Sequence, residues 1–323
     1  MLKPRSDHRQ KPKGSLHPRS LHRELYDFKR LVAISPALLP FVKPNAYNIL
    51  SVDYSDPAAV IALNQALLKY FYNISNWSIP QSYLCPPVPG RADYVHYIAD
   101  VLAASNDGVI PTSPNVTVLD IGAGANLIYP LIGNAVYGWR FIASDIDPVA
   151  IKSAQKIIHA NPQIAGNITC RLQPQGNDVF TGIVKPGELI DLTMCNPPFH
   201  RSAAEAAAGT VKKLQNLGDR FPSKPVLNFG GKHNELWCAG GEAGFINRLV
   251  TQSAQFAKNV FWFSTLVSKK ETLNGIYKSL DYFKAADVKT ISMAQGQKVS
   301  RAVAWTFLTE TEQQEWKASR WHK

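Results

Sequence analysis

After residue 115 the sequence alternates between short apolar runs and longer amphipathic runs, and this alternation restricts the possible folds more than any other feature. Apolar runs predict strands at 116–121, 140–144, 168–172, 189–195 and 260–264. Helical spacing of apolar residues predicts helices at 127–137, 148–160, 242–256 and 269–280. Apolar strands that alternate with helices are typical of a parallel sheet covered on both faces. Two last strands, at 288–293 and 299–308, predict a closing antiparallel hairpin, so the expected fold is α/β with a seven-stranded, mostly parallel sheet.

The N-terminal third differs in composition from the rest of the chain. Residues 1–20 hold six Lys or Arg against one Asp and almost no apolar residues, which predicts a basic, disordered arm. Residues 21–110 predict a small helical module, in which Asp56 can cap a helix that has Pro57 at its first position. Residues 111–323 are then expected to form the main domain.

The charge balance narrows the choice of partners. The 323 residues include 35 Lys and Arg but only 24 Asp and Glu, and the formal charge of +11 favours nucleic acid or an anionic membrane over a small neutral metabolite. No apolar run approaches the roughly 20 residues of a membrane span, and the N-terminus lacks the apolar stretch of a secretory signal. The four Cys form no CxxC pair, and the eight His show no metal-ligand spacing. We therefore expect a cytoplasmic protein that binds neither a membrane nor a metal ion.

The first strand of the main domain runs into a glycine turn at Gly122 and Gly124, just after Asp120. Glycines at the carboxyl end of such a strand let the backbone approach a ligand, although an ordinary tight turn is the alternative. A dinucleotide-binding turn needs a third glycine where this chain has Leu127. The acid before Gly-X-Gly instead resembles the S-adenosylmethionine loop of class I methyltransferases, in which the third glycine is replaced here by Asn126.

The second strand of the main domain ends in carboxylates. Asp145 stands at the strand end, where a carboxylate can accept hydrogen bonds from both ribose hydroxyls of an adenosine-containing cofactor. Asp147 precedes Pro148, and a residue in that position is expected to cap the following helix. We assign the cofactor contact to Asp145, with Asp147 as the alternative.

The fourth strand ends in Asn196-Pro197-Pro198-Phe199, and these four residues are the predicted catalytic set. Two prolines cannot continue a ladder, so the chain leaves the sheet there. The exocyclic amine of a base is a poor nucleophile, because its lone pair is delocalised into the ring. The side-chain oxygen of Asn196 and the carbonyl of Pro197 could accept its two N–H groups, and Phe199 offers a face for stacking. Such a site would suit methyl transfer to that amine.

The Asp120 turn and the Asn-Pro-Pro-Phe segment together resemble amino-methyltransferases, and five further stretches make the resemblance more specific. They are LYDF at 25–28, VPGRADY at 88–94, NLIYPLIG at 126–133, ELWCAGGE at 235–242 and AQGQKVSR at 294–301. With them the sequence is similar to the large-subunit ribosomal RNA adenine-N6 methyltransferases, the bacterial relatives of the eukaryotic methyltransferase-like U6 RNA enzymes. The resemblance implies a class I, Rossmann-like fold that uses S-adenosylmethionine to methylate the N6 amine of an adenine in 23S ribosomal RNA.

The resemblance also implies roles for residues outside the two main motifs. Arg91 would contact the carboxylate of the cofactor, and Gln175 and Asn177 would lie near its adenine; a surface arginine and a polar turn are the alternatives. Lys298 and Arg301 would lie on the substrate side, where Lys298 would contact a phosphate unless the hairpin is simply solvated.

Two basic segments are expected to contact RNA phosphates. The arm at 1–20 supplies Lys3, Arg5, Arg9, Lys11, Lys13 and Arg19. The segment 209–241 supplies Lys212 and Lys213. We interpret it as a mobile lid over the target base, with a passive surface insertion as the alternative.

The expected substrate is 23S ribosomal RNA or a large-subunit assembly intermediate, bound by a monomer. Two other functions stay open from the sequence. The same fold could methylate guanine N2 or a protein glutamine, or the chain could be a ribosome-assembly factor that binds ribosomal RNA and has a degenerate cofactor pocket. The chemical identity of the methylated product distinguishes adenine methylation from methylation of guanine or glutamine. Transfer of a labelled methyl group to RNA distinguishes an enzyme from a non-catalytic assembly factor.

Overall fold

The computed structural model describes residues 16–198, 236–295 and 298–321, and its centre is a seven-stranded sheet. A two-stranded hairpin, β1 (Lys43–Pro44) and β2 (Leu50–Ser51), precedes this sheet in the chain. The sheet itself consists of β3 (Thr117–Ile121), β4 (Arg140–Asp145), β5 (Ile168–Leu172), β6 (Ile190–Cys195), β7 (Val260–Val267), β8 (Asp287–Gln295) and β9 (Lys298–Thr306). Every predicted strand is present within a few residues of its expected bounds, and the α/β class is confirmed.

The sheet has the strand order β5-β4-β3-β6-β7-β9-β8. Strands β3 to β7 pair in parallel, whereas β9 is antiparallel to both of its neighbours, which confirms the closing hairpin. From β3 the chain first adds strands on one side and then crosses to add β6 on the other. In open α/β sheets ligands bind outside the carboxyl ends of the strands at such a switch point.

The helices that flank the sheet begin mostly where local sequence signals predict. They are α1 (Phe28–Ile34), α2 (Pro57–Tyr72), α3 (Val88–Ala104), α4 (Ile128–Tyr137), α5 (Pro148–His159), α6 (Gly241–Ser253), α7 (Thr272–Tyr282) and α8 (Glu310–Arg320). Asp56 caps α2 by accepting a hydrogen bond from the N–H of Ala58, and Asp147 caps α5 through the N–H of Val149. Short 3₁₀ turns occur at Pro36–Phe41, Pro162–Ile164 and Ala254–Phe256.

The N-terminal helices and the sheet share one hydrophobic core. Leu67 of α2, Tyr94 of α3, Leu131 of α4 and Phe141 of β4 all belong to a single cluster of buried residues. The predicted division at residue 110 therefore does not separate two cores, and α3 packs directly against α4. For the site this matters because α3 is held against the sheet by the same packing that stabilises the main domain.

Residues 16–22, called here the N-terminal anchor, differ from the prediction that the chain is disordered up to residue 20. The ring of His17 is buried on α3, with Nε2 2.8 Å from the carboxylate of Asp100, and burial lowers its pKa. The guanidinium of Arg19 binds the same carboxylate at 2.8 Å and donates a hydrogen bond to the hydroxyl of Tyr137. The prediction is wrong for this stretch, because buried partners on the domain fix it. Arg19 is paired with protein groups, and its role as an RNA contact stays a prediction.

The C-terminal helix α8 was not predicted, because its sequence is mostly polar. It is fixed by Asp191 at the start of β6, whose buried carboxylate accepts hydrogen bonds from the indole N–H groups of Trp316 and Trp321 at 2.7 and 2.8 Å. Arg320 forms an ion pair with the same carboxylate at 2.6 Å. Within the described ranges, the helices include none long and apolar enough to cross a membrane.

Candidate active site

A cavity of about 290 Å³ lies at the carboxyl ends of β3, β4 and β6. It is completed by the start of α3, the loop after β5 and the first turns of α6. The cavity therefore occupies the switch point of the sheet, where the sequence motifs are expected to meet. The described residues contain no cluster of three or more His, Cys, Asp or Glu that could hold a metal ion.

The glycine turn lines the cavity directly after β3. Gly122 and Gly124 have φ angles of +74° and +66°, in the left-handed region where a side chain would strain the backbone. The N–H groups of Gly122 and Ala123 donate to the carbonyl of Ser144 on β4, which fixes the turn against the neighbouring strand. Asn126, at the position of the missing third glycine, accepts a hydrogen bond from the N–H of Ile128 and so helps to begin α4. The exchange of glycine for Asn therefore leaves the turn intact.

Asp145 ends β4 and faces the cavity. One carboxylate oxygen accepts from the N–H of Gly124 at 2.9 Å, and the other accepts from the N–H of Asp147 at 2.9 Å. Burial raises the pKa of this carboxyl above its ordinary value, although the two N–H groups oppose that shift. Asp147 lines the same cavity, but its carboxylate caps α5 and also accepts from the hydroxyl of Tyr83 at 2.6 Å. The helix-capping role expected for Asp147 is confirmed.

Asp120 lies in β3, and its side chain is completely buried. Neither carboxylate oxygen has a hydrogen-bond partner among the described residues. Burial and the nearby carboxylate of Asp145 raise its pKa to about 8, while the positive charge of Arg91 acts in the opposite direction. An unpartnered buried carboxyl is costly, so it is a candidate for a ligand contact or for a protonated state.

Arg91 reaches the cavity from the first turn of α3. Its Nη1 donates to the hydroxyl of Tyr129 at 2.9 Å, and its guanidinium lies 5.6 Å from the centre of the same ring. Tyr129 also lines the cavity; it belongs to the stretch at 126–133 that contributes to the family resemblance, but no role is assigned to it from the sequence. The two residues join the starts of α3 and α4 and place a cation at the cavity wall.

The loop after β5 contributes Gln173 and Asn177 to the cavity wall. Gln175, which the resemblance placed near the cofactor, is exposed and is not among the lining residues. Its backbone N–H instead donates to the side-chain oxygen of Gln173 at 3.0 Å. Neighbouring residues in a turn point in different directions, and sequence alone does not fix which one faces inward; a contact between Gln175 and the adenine stays a prediction.

The end of β6 brings the predicted catalytic segment to the cavity. Asn196 and Pro198 line it, and Pro197 is buried beside them. The side-chain oxygen of Asn196 is buried and has no partner within the described ranges. Cys195 before it is buried, and burial raises the pKa of its thiol, so this thiol is a poor nucleophile. Phe199 lies outside the described residues.

Four residues near the start of α6 complete the cavity, and sequence reasoning did not assign them a role. They are Trp237, Cys238, Phe245 and Arg248. The guanidinium of Arg248 lies 5.8 Å from the centre of the Phe245 ring and donates to the carbonyl of Ala239 at 3.3 Å. In the sequence the stretch at 235–242 contributes only to the family resemblance. A Trp three residues before a pair of glycines is the one feature that could have marked it as part of the site.

Most of the predicted RNA contacts fall outside the described residues. These are Lys3, Arg5, Arg9, Lys11, Lys13, Lys212 and Lys213, together with the side chain of Lys298. Arg301 is described: it is half-buried in β9 and pairs in register with Val267 at the carboxyl end of β7. It therefore lies at the same edge of the sheet as the cavity, and its role as an RNA contact stays a prediction.

A seven-stranded sheet with this order and a closing antiparallel pair is the architecture of class I methyltransferases. Among solved structures, the chain resembles the catalytic domain of human METTL16 in complex with MAT2A 3′UTR hairpin 1, with a TM-score of 0.75 and 28% identity over 91% of this chain and 96% of the other. The N-terminal domain of human METTL16 in complex with SAH gives a TM-score of 0.71 and 27% identity, covering 91% of this chain and all of the other.

A family model described as RNA methyltransferase matches residues 10–309, and the chain belongs to this family. Two curated relatives share the name ribosomal RNA large subunit methyltransferase F. The protein from Photobacterium profundum is 53% identical over 97% of both chains. The protein from Yersinia enterocolitica is 55% identical over 96% of this chain and 93% of its own length. The chain is thus an RNA methyltransferase, and the relatives span nearly its full length.

Proposed function

We propose that this protein transfers a methyl group from S-adenosylmethionine to the N6 amine of one adenine in 23S ribosomal RNA. Relatives more than half identical are named as methyltransferases of large-subunit ribosomal RNA, and a structural neighbour binds an RNA hairpin. The formal charge of +11 suits a polyanionic substrate. We expect a monomer that acts in the cytoplasm, on free ribosomal RNA or on an assembly intermediate.

The observation that carries this proposal is the buried, unpartnered side-chain oxygen of Asn196 in the wall of the cavity. A buried acceptor without a donor costs about 1–3 kcal/mol, and a ligand N–H would remove that cost. The segment Asn-Pro-Pro leaves the sheet here, and Asn196 lies in the cavity wall, where no neighbouring strand among the described residues supplies a donor to this oxygen. An exocyclic amine of a nucleobase supplies the missing donor.

The described residues also fit the proposed cofactor. Asp145 can accept hydrogen bonds from the ribose hydroxyls, because the turn N–H groups that hold its oxygens leave further lone pairs free. Arg91 lies in the cavity wall and suits a carboxylate. Asp120 is not among the lining residues, but its unpartnered carboxyl, next in sequence to the lining residue Ile121, suits an ammonium group. When bound, S-adenosylmethionine supplies a methyl group on a sulfonium centre that is already a good leaving group.

Catalysis by the chain itself would then consist mainly of orientation and exclusion of water. Asn196 and the carbonyl of Pro197 accept the two N–H groups of the amine and favour its pyramidal form, in which the lone pair leaves the ring system. Burial raises the pKa of Cys195 and keeps its thiol neutral, so this thiol does not compete with the amine as a nucleophile. Such positioning can lower the activation free energy by several kcal/mol.

The proposal is tested with tritium-labelled S-adenosylmethionine and 23S ribosomal RNA from cells that lack the gene. We expect label in N6-methyladenosine after hydrolysis. Asn196→Ala should lower the single-turnover rate by on the order of 10²–10³ while cofactor affinity is retained. Asn115→Ala, the same change at an exposed position, is the control.

Each alternative gives a different result in that experiment. Label in N2-methylguanosine would identify guanine N2 as the methyl acceptor, and label in protein would point to a glutamine side chain as the acceptor. RNA binding without any transfer would indicate a non-catalytic assembly factor. An Asn196→Ala variant with a wild-type single-turnover rate would refute the assigned role of this side chain.

A further inference from the structure

A second concave surface lies between the ends of α2 and α5. This groove has a volume of about 420 Å³ and is called here the α2–α5 groove. Two lysines and three serines on its walls carry the argument: Lys69, Lys156, Ser35, Ser75 and Ser78. No Asp or Glu is found among the described residues that line it.

The two lysines of the groove are free to bind a ligand. Lys69 and Lys156 are exposed, and neither ammonium group forms an ion pair with any described residue. The loop that carries Ser75 and Ser78 is nevertheless fixed: the N–H groups of Ser75 and Asn76 donate to the side chain of Asn161 at 3.0 and 3.1 Å. The groove therefore presents cations and hydroxyls from a preorganised backbone.

The groove is connected to the active-site cavity by two structural elements. Trp77 lines the groove, and its indole N–H donates to the carbonyl of Asn126, a cavity residue, at 2.8 Å. Along α5, Ala150 lines the cavity and Lys156 lines the groove. Six residues of helix rise about 9 Å, which is roughly the rise of three stacked nucleotides.

We propose that the α2–α5 groove binds the sugar–phosphate backbone of the RNA segment that flanks the target adenine. Lysine ammonium groups and serine hydroxyls are typical phosphate contacts, and such contacts position RNA without reading its sequence. The absence of acidic groups among the described lining residues and the net positive charge favour RNA over a basic protein surface. This inference rests on the proposed function, because it assumes an RNA substrate whose target base enters the adjacent cavity.

The test compares two double variants with the same change of charge. Lys69→Gln/Lys156→Gln alters the groove, and Lys185→Gln/Lys278→Gln alters two exposed lysines elsewhere on the domain. The affinity for protein-free 23S ribosomal RNA is measured over a series of salt concentrations. For the groove variant we expect the slope of log affinity against log salt to fall by about 1.4–1.8, from two phosphate contacts of about 0.7–0.9 each. The control variant should keep the wild-type slope.

Melting temperature and cofactor affinity are measured in parallel. Both groove lysines lie in the last turns of their helices, where a cation also stabilises the helix. Equal slopes for the two variants would overturn the proposal. So would a groove variant that binds free RNA normally but methylates an assembly intermediate poorly, since that result would assign the groove to a ribosomal protein. Failure of wild-type protein to methylate 23S RNA would instead refute the proposed function.

Discussion

The hydroxyl group of Tyr94 accepts a hydrogen bond of 3.4 Å from the backbone N–H of Cys195, the residue before Asn196. The same hydroxyl lies 2.8 Å from the hydroxyl of Ser264 on β7, which in turn donates to the carbonyl of Thr193 at 2.6 Å. The ladder between β6 and β7 pairs Ile190 with Val260 and Leu192 with Trp262. Further along the two strands, side-chain hydrogen bonds connect them, and Tyr94 of α3 supports the segment that is predicted to be catalytic.

This relationship predicts that Tyr94→Phe slows methyl transfer although Tyr94 does not line the cavity. Loss of one hydrogen bond of about 0.5–1.5 kcal/mol would correspond to a reduction of roughly 2- to 10-fold in single-turnover rate if it acts on the position of Asn196. Cofactor affinity should stay unchanged. Tyr72→Phe removes a buried hydroxyl that bonds to His22 in the N-terminal anchor, and it serves as the matched control. A Tyr94→Phe variant that loses stability but keeps its rate would show a purely structural role.

Asp145→Ala is expected to weaken S-adenosylmethionine binding by about 2–4 kcal/mol, through loss of charge-assisted hydrogen bonds. The structure adds a second reason, because the carboxylate also holds the N–H groups of Gly124 and Asp147. Calorimetric titration with the cofactor measures the effect, and RNA affinity should barely change. Asp147→Ala should mainly lower the stability of α5, because this side chain caps the helix. If Asp147→Ala weakened cofactor binding more than Asp145→Ala, the ribose contact would belong to Asp147.

Asp120 should make stability depend on pH. Its ordinary pKa of 3.8 is raised to about 8 in the folded protein, so the folded state binds more protons than the unfolded state between these values. The stabilisation is fully present below the ordinary pKa and is lost as pH rises through the folded-state pKa. Asp120→Asn does not titrate, so its free energy of unfolding should increase relative to wild type as pH rises from about 5 to about 8. Chemical denaturation at both pH values measures the difference, and a constant difference would contradict the raised pKa.

Two N-terminal truncations should behave differently. Removal of residues 1–15 deletes five Lys or Arg and is expected to leave folding and cofactor binding intact. Each lost phosphate contact should reduce the salt dependence of RNA binding by roughly 0.7–0.9. Removal of residues 1–20 also deletes His17 and Arg19, the two side chains that bind the carboxylate of Asp100.

We therefore expect a lower melting temperature only for the longer truncation. Thermal unfolding of both truncations measures this, with salt titrations of RNA binding in parallel. Equal melting temperatures would mean that the N-terminal anchor contributes nothing to the fold. Superimposable salt titrations of the shorter truncation and the full chain would mean that residues 1–15 make no phosphate contact.

The sequence alone was sufficient for features that depend on a few neighbouring residues. Asp56 and Asp147 are predicted as caps because Asp-Pro pairs act locally, and both caps are present. The glycine turn and the Asn196 segment are predicted to meet because the carboxyl ends of parallel strands share one edge of a sheet. The cavity contains both. Fold class, strand bounds and the centre of the site thus follow from local pattern and the geometry of a parallel sheet.

Only the tertiary structure decided which residues surround that centre. Gln173 rather than Gln175 lines the cavity, Arg19 is paired within the fold, and Tyr94 supports Cys195 from 101 residues away. None of these contacts has a periodic or local signature. They arise because packing brings distant side chains together, and because buried polar groups must find partners wherever the folded chain provides them. The sequence determined the chemistry of the site, and long-range packing determined the residues that hold it in position.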